Sequence, residues 1–124
     1  MSGKPVVPLL VFEAADCLMA VPASEIAHLS EADPRVAAGE GRAAFDLGEY
    51  FSGRSSDGPW LQWVRGARGA WLRVRRVVDV VPIALSGLSP MPVMLRRQRR
   101  SRAFLAAGVR GDDVFLLLDP ARLL

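Results

Sequence analysis

WLQWVRGARGAWLRV, residues 60–74, decides the fold. Two runs rich in tryptophan, leucine and valine flank a turn with two glycines, Gly66 and Gly69, which is the pattern of an antiparallel β-hairpin. Alternation along the second run puts Trp71, Arg73 and Arg75 on one strand face. The run continues through RRVVDVVPI (75–83), long enough for the strand to bend from one sheet into another.

On the N-terminal side, PLLVFEA (8–14) and CLMAVPASEIAHL (17–29) form a first hairpin, with Pro22 suited to a strand end or a bent turn. EADPRVAAGEGR (31–42) reads as a loop, AAFDLGEYFSG (43–53) as a short strand running into a turn of helix, and GRSSDGP (53–59) as a second loop. On the C-terminal side, SGLSPMP (86–92) is extended because each proline also restricts its predecessor. RRQRRSR (96–102) is a basic connector. AFLAAGV and DVFLLLD (103–109, 113–119) make a last hairpin around Arg110-Gly111-Asp112. In the closing DPARLL, Asp119 takes the N-cap and Pro120 the first position of a helical turn. Many short strands with almost no helix-period segment predict an all-β barrel or pair of barrels within one domain, 1–124.

The composition agrees with a packed fold: 51% of residues are hydrophobic and 23% charged. No apolar run approaches the ~20 residues that cross a bilayer, so no direct membrane insertion is expected. With a single cysteine, Cys17, no internal disulfide can form, and a cytoplasmic protein is the expectation. The net charge of +3 is uneven. Residues 1–58 carry four basic and nine acidic side chains, a net −5, and residues 59–124 carry twelve and four, a net +8. Fifteen of the sixteen basic residues are arginine, as a GC-rich genome would give, although such bias does not make them one-sided.

Chemistry-bearing constellations are absent from the sequence pattern. His28 is the sole histidine and has no spaced cysteine partners, which excludes an ordinary metal site. Ser24 and Cys17 lie near it, but nothing organises a nucleophile, a base and an orienting group. Gly66 and Gly69 belong to a hairpin, and Gly39 and Gly41 to a loop without a flanking strand and helix, so neither pair is a phosphate loop. No enzyme, cofactor or small-molecule substrate is expected. The basic cluster Arg96, Arg97, Arg99, Arg100 and Arg102 is the best sign of nucleic-acid binding. A solvated arginine-rich loop is the preferred explanation of it, and Trp60, Trp63 and Trp71 read as core or interface residues rather than stacking platforms.

Taken in order, these segments resemble the CheW-like domain of bacterial chemosensory arrays. The resemblance rests on LLVFEA (9–14), the AVP step (20–22), the stretch Ile26 to Leu29, FDL (45–47), LRVRRVVDVVPI (72–83), SPMP (89–92) and the closing FLAAGV…DVFLLLDPARLL. It implies two small five-stranded β-barrel lobes around a shared apolar core, the first mainly 7–53 plus chain-terminal elements and the second mainly 59–109. It also implies a non-catalytic adaptor at receptor arrays. The implied partners are the cytoplasmic domain of methyl-accepting chemoreceptors and the regulatory domain of a CheA-type histidine kinase.

In that reading a groove between lobes takes the apolar stripe of a receptor helix, with Ile26, Leu29, Phe45 and Leu47 as apolar surface and His28 and Asp46 at the rim. Three departures stand out. About 15 residues, roughly a strand and a loop, are missing ahead of FDL together with the family's Arg-Gly stretch, so the first lobe is expected to be reduced and the kinase contact is left open. His28 stands where an acidic residue is expected, and Arg75 replaces an aspartate. A small barrel binding nucleic acid through Arg96–Arg102 is the alternative.

Overall fold

The computed structural model describes residues 5–34, 43–91 and 102–124. Strands β1 (Val6–Ala14) and β2 (Cys17–Pro22) form the first hairpin, in register from Leu9↔Pro22 to Ala14↔Cys17. Its turn places Ala15 and Asp16 at positive φ, 52° and 60°. The sequence 17–29 is not one strand. Pro22 ends β2, a 3₁₀ turn at Ala23–Glu25 follows, and β3 (Ile26–Ser30) starts in a different sheet. After β4 (Ala43–Asp46) comes a helix, α1 (Leu47–Ser52), then the hairpin β5 (Trp60–Arg65) and β6 (Arg68–Arg73). That hairpin turns on Gly66-Ala67 alone, with Gly66 at φ 59°, and Gly69 sits inside β6 opposite Val64. β7 (Arg76–Ala84), a second 3₁₀ turn (Leu85–Gly87) and the two-residue β8 (Ser89–Pro90) precede the last hairpin, β9 (Phe104–Arg110) and β10 (Asp113–Leu118). A final 3₁₀ turn spans Pro120–Leu123.

The all-β expectation is met by two sheets, but not as five strands and five. Among the described residues one sheet has six strands in the order β7-β1-β2-β10-β9-β8, and the other has four, β3-β5-β6-β4. Neither sheet follows the expected division at 7–53 and 59–109. The four-stranded sheet joins residues 26–30 and 43–46 to the hairpin 60–73, and the six-stranded sheet takes both ends of the described chain together with β7. The reason is two parallel pairings between distant segments, β2 with β10 and β4 with β6. Local pattern carries no information about either.

The six-stranded sheet curls on itself. Its end strands β7 and β8 are joined by four residues, a reach of at most ~14 Å, and Arg110 on β9 meets Asp79 on β7 at 3.5 Å. Inside the curl sit Leu9, Val11, Ala20 and Phe115. Gly108 lines it so closely that a Cβ would stand 2.3 Å from the Phe115 ring. The opposite faces of the same strands supply Phe12, Ala14, Met19, Val21 and Leu118 to the core shared with Leu61, Trp63, Ala70 and Leu72 of the smaller sheet. Strands buried on both faces read as unbroken apolar runs, which is why LLVF and FLLL show no alternation. The chain crosses between sheets twice within described segments: at the 3₁₀ turn between β2 and β3, and at Val74–Arg75 between β6 and β7. The second crossing is the bend expected of the long strand.

Candidate docking site

The six residues expected to line one groove do not stand together. β3 and β4 are opposite edges of the four-stranded sheet, three strand spacings or roughly 14 Å apart, so Ile26, His28 and Leu29 occupy one edge and Phe45 and Asp46 the other. Leu47 is fully buried and cannot supply surface. Phe45 packs against the shared core and meets Tyr50 edge to face at 6.2 Å.

Asp46 is a structural carboxylate. It caps α1 by accepting from the Glu49 N–H at 3.2 Å and holds the following loop by accepting from the Ser56 N–H at 3.0 and 2.9 Å. The helix ends at Gly53 in the left-handed region, φ 77°. On the other edge Ile26 reaches into the shared core, His28 is exposed and meets Trp71 edge to face, and Leu29 is 43% exposed. Of the basic loop, Arg96, Arg97, Arg99 and Arg100 lie outside the described residues; Arg102 is exposed, and its carbonyl accepts from Arg122 at 2.9 Å. Trp60, Trp63 and Trp71 are buried.

A surface not singled out in the sequence is the outer face of the β1–β7 ladder. Cross-strand partners share a face, and here the partners Val6↔Ala84, Pro8↔Pro82 and Leu10↔Val80 are all apolar. The next outward residues of β1, Phe12 and Ala14, are covered by the smaller sheet. Covering stops there: Val6 is 54% and Val80 49% exposed, and both prolines are exposed. Leu10 packs against the edge of the shared core, as does Ile26 on β3. The strip ends at Leu10, and β1 also lies against the 3₁₀ turn of the first crossing, the junction where β3 begins. Its three rungs span ~14 Å. Apart from Glu13 on β1 and Arg76 and Asp79 on β7 both strands are apolar, and only register reveals which half of each faces out.

Behind that junction lies an ionic knot. Glu25, the residue before Ile26, accepts from Arg65 at 2.8 and 3.0 Å and from the Trp63 indole N–H at 3.0 Å. Arg65 also donates to Asp119 at 3.0 Å, and Asp119 caps the final turn by accepting from the Ala121 N–H, the role expected of it. The Arg65 hydrogen bonds, first of all, hold the Glu25 carboxyl below its ordinary pKa; partial burial opposes this, and the Trp63 N–H and the charge of Arg65 add to it. Hydrogen bonding to Glu25 in turn raises the pKa of Arg65.

A polar recess of about 280 Å³ beside α1 sets Asp16 and Asp57 against Arg54 and Arg75, with serine hydroxyls and no histidine among its walls. It offers neither a base beside a nucleophile nor a carboxylate pair set apart from cations.

Two β-sheets sharing one apolar core, a small helix against one of them and an apolar strip left open make up an all-β fold. Neither a protein-family model nor a curated protein sequence matches the chain. Among solved structures it is similar to the scaffolding protein TtCheW from Thermoanaerobacter tengcongensis, at a TM-score of 0.72 and 16% identity, over 92% of this chain and 89% of that one. The fold is CheW-like, as the ordered segments implied.

Proposed function

We propose that this chain is a non-enzymatic chemosensory signalling adaptor, acting in the cytoplasm at receptor arrays and binding the cytoplasmic hairpin of methyl-accepting chemoreceptors. The observation that carries it is the open strip Val6, Pro8, Leu10, Val80, Pro82 and Ala84 on a CheW-like scaffold. A strip of ~14 Å matches about nine helical residues at 1.5 Å each, the length over which an amphipathic helix presents i, i+3 or i+4, and i+7. Of the expected set, Ile26 packs against the same core as Leu10 of the strip and Leu29 is exposed on the same strand as Ile26; Phe45, Asp46 and Leu47 do not take part. The regulatory domain of a CheA-type histidine kinase is the second partner suggested by the scaffold.

Burial of all three tryptophans takes away the stacking surfaces that single-strand nucleic-acid binding would use, so the adaptor reading is preferred.

The test is a parallel pull-down and titration with a purified chemoreceptor signalling hairpin and with the kinase regulatory domain. Val80→Asp places a charge at the inner end of the strip on an exposed side chain; it should leave the fold intact and weaken hairpin binding by about tenfold or more. Unchanged affinity in Val80→Asp and in Ile26→Ala would exclude this surface. The kinase arm decides the second partner independently.

A further inference from the structure

Arg65 ends β5 outside both core clusters, and its side chain is 41% exposed, yet all three guanidinium nitrogens are engaged. Nε and Nη2 bind the two oxygens of Glu25 at 2.8 and 3.0 Å, and Nη1 binds Asp119 at 3.0 Å. Its guanidinium carbon lies 5.1 Å from the centre of the Trp63 ring, whose N–H is bound to the same Glu25 carboxylate. Both carboxylates come out of the six-stranded sheet, but by different routes. Glu25 ends the 3₁₀ turn that leaves β2, and Asp119 follows β10. Arg68, across the hairpin on β6, adds a contact to the Ala121 carbonyl at 3.4 Å, and Arg122 approaches Asp119 at 3.6 Å from the other side. One planar fork on the smaller sheet thus holds the start of β3 and the final turn at the same time. A lysine could satisfy one of the two carboxylates as a point charge but could not fork onto both.

An isolated ion pair at this exposure adds little to stability. What this arrangement fixes is position: Glu25 is bonded directly to Ile26, the first residue of β3, and Ile26 packs against the shared core, as Leu10 of the strip does. We infer that Arg65 is a positioning residue of the docking face, coupling the final turn at Pro120–Leu123 to the placement of Ile26 and Leu29. The coupling stands on the geometry alone; its effect on docking rests on the function proposed above.

The experiment is a double-mutant cycle on two carboxylates joined only through a shared cation. Glu25→Gln, Asp119→Asn and the double variant are made in the wild-type and in an Arg65→Gln background. Asparagine still caps a helical turn, so the final turn survives the change at 119. The readouts are amide hydrogen exchange over residues 26–30 and 121–124, and affinity for a purified chemoreceptor signalling hairpin.

With Arg65 present, Asp119→Asn should speed exchange in β3, and the two changes should combine non-additively by roughly three- to tenfold. In Arg65→Gln the non-additivity should vanish. Arg65→Gln should weaken the hairpin by about fivefold, and Arg65→Lys should recover little of that loss. Additive effects, or coupling that survives without Arg65, would overturn the inference. Faster β3 exchange in Arg65→Gln with unchanged hairpin affinity would leave Arg65 structural only and overturn its positioning role. Failure of the wild-type chain to bind the hairpin would remove the docking reading, while the exchange cycle would still decide the coupling.

Discussion

The two crossings between sheets are held in different ways. At Val74–Arg75 the backbone does the holding. The Val74 N–H donates to the Pro59 carbonyl at 3.0 Å and the Arg75 N–H to the Glu13 carbonyl at 2.8 Å. Val74 is fully buried, and Gly58 lies so near that a Cβ would stand 1.9 Å from the Arg75 carbonyl oxygen. At Ala23–Glu25 side chains do the holding, through Glu25, Arg65, Trp63 and Asp119. A backbone clamp tolerates almost no added atom but is indifferent to salt and pH. An ionic clamp accepts substitution and responds to both. The crossing beside the docking strip is the adjustable one.

Four measurements sharpen or break this contrast. Gly58→Val should be the most damaging, since neither the carbonyl nor the strand behind it can retreat. A loss above about 3 kcal/mol, read from the urea midpoint at unchanged slope, is expected. A loss below 1 kcal/mol would mean that the second crossing is far softer than its contacts imply. Arg65→Gln should lower stability by only ~1 kcal/mol at low salt, and by less in 1 M salt, where screening has already weakened the wild-type pair.

Acid should act on the first crossing. Because the Glu25 carboxyl titrates below its ordinary value of 4.5, its contribution is present in full above pH 4.5 and is lost as the pH falls through the lower folded value. Glu25→Gln should remove that part of the acid dependence and lower the plateau above pH 4.5; an unchanged acid limb would contradict the assignment. The smallest effect should be Arg75→Ala, within about 0.5 kcal/mol. Its side chain is 60% exposed, and its contacts to Glu13 and Asp16 are long at 3.5 and 4.0 Å.

Much of the fold was legible because its local pieces are conventional. Both outer hairpins, the Asp46-to-helix step, the bend after Arg73 and the capping role of Asp119 follow from turn chemistry and from strands too apolar to be loops. Sheet membership was not legible, because β2–β10 and β4–β6 pair in parallel across long sequence separations.

The candidate site suffered from the same blindness. Leu47 looked like a surface residue until α1 was seen to bury it, and Phe45 and Ile26, near in the expected groove, stand on opposite sheet edges. The apolar strip needed the register Pro8↔Pro82 to become visible. The Arg65 knot joins residues 40 and 54 positions apart, and no motif marks such a meeting.

The parallel pairing of β2 with β10 also dictates when the protein can fold. Leu18 finds its partner in Phe115, so the centre of the larger sheet cannot form until nearly all of the 124 residues exist. At ~5–20 residues per second of synthesis, the nascent β2 edge, with Leu18, Met19, Ala20 and Val21, waits on the order of 5–20 s without its neighbour. Once released, a chain dominated by such distant pairings should fold in milliseconds to seconds, not microseconds. Until β10 arrives, that unpaired edge is where the young chain is most exposed to aggregation.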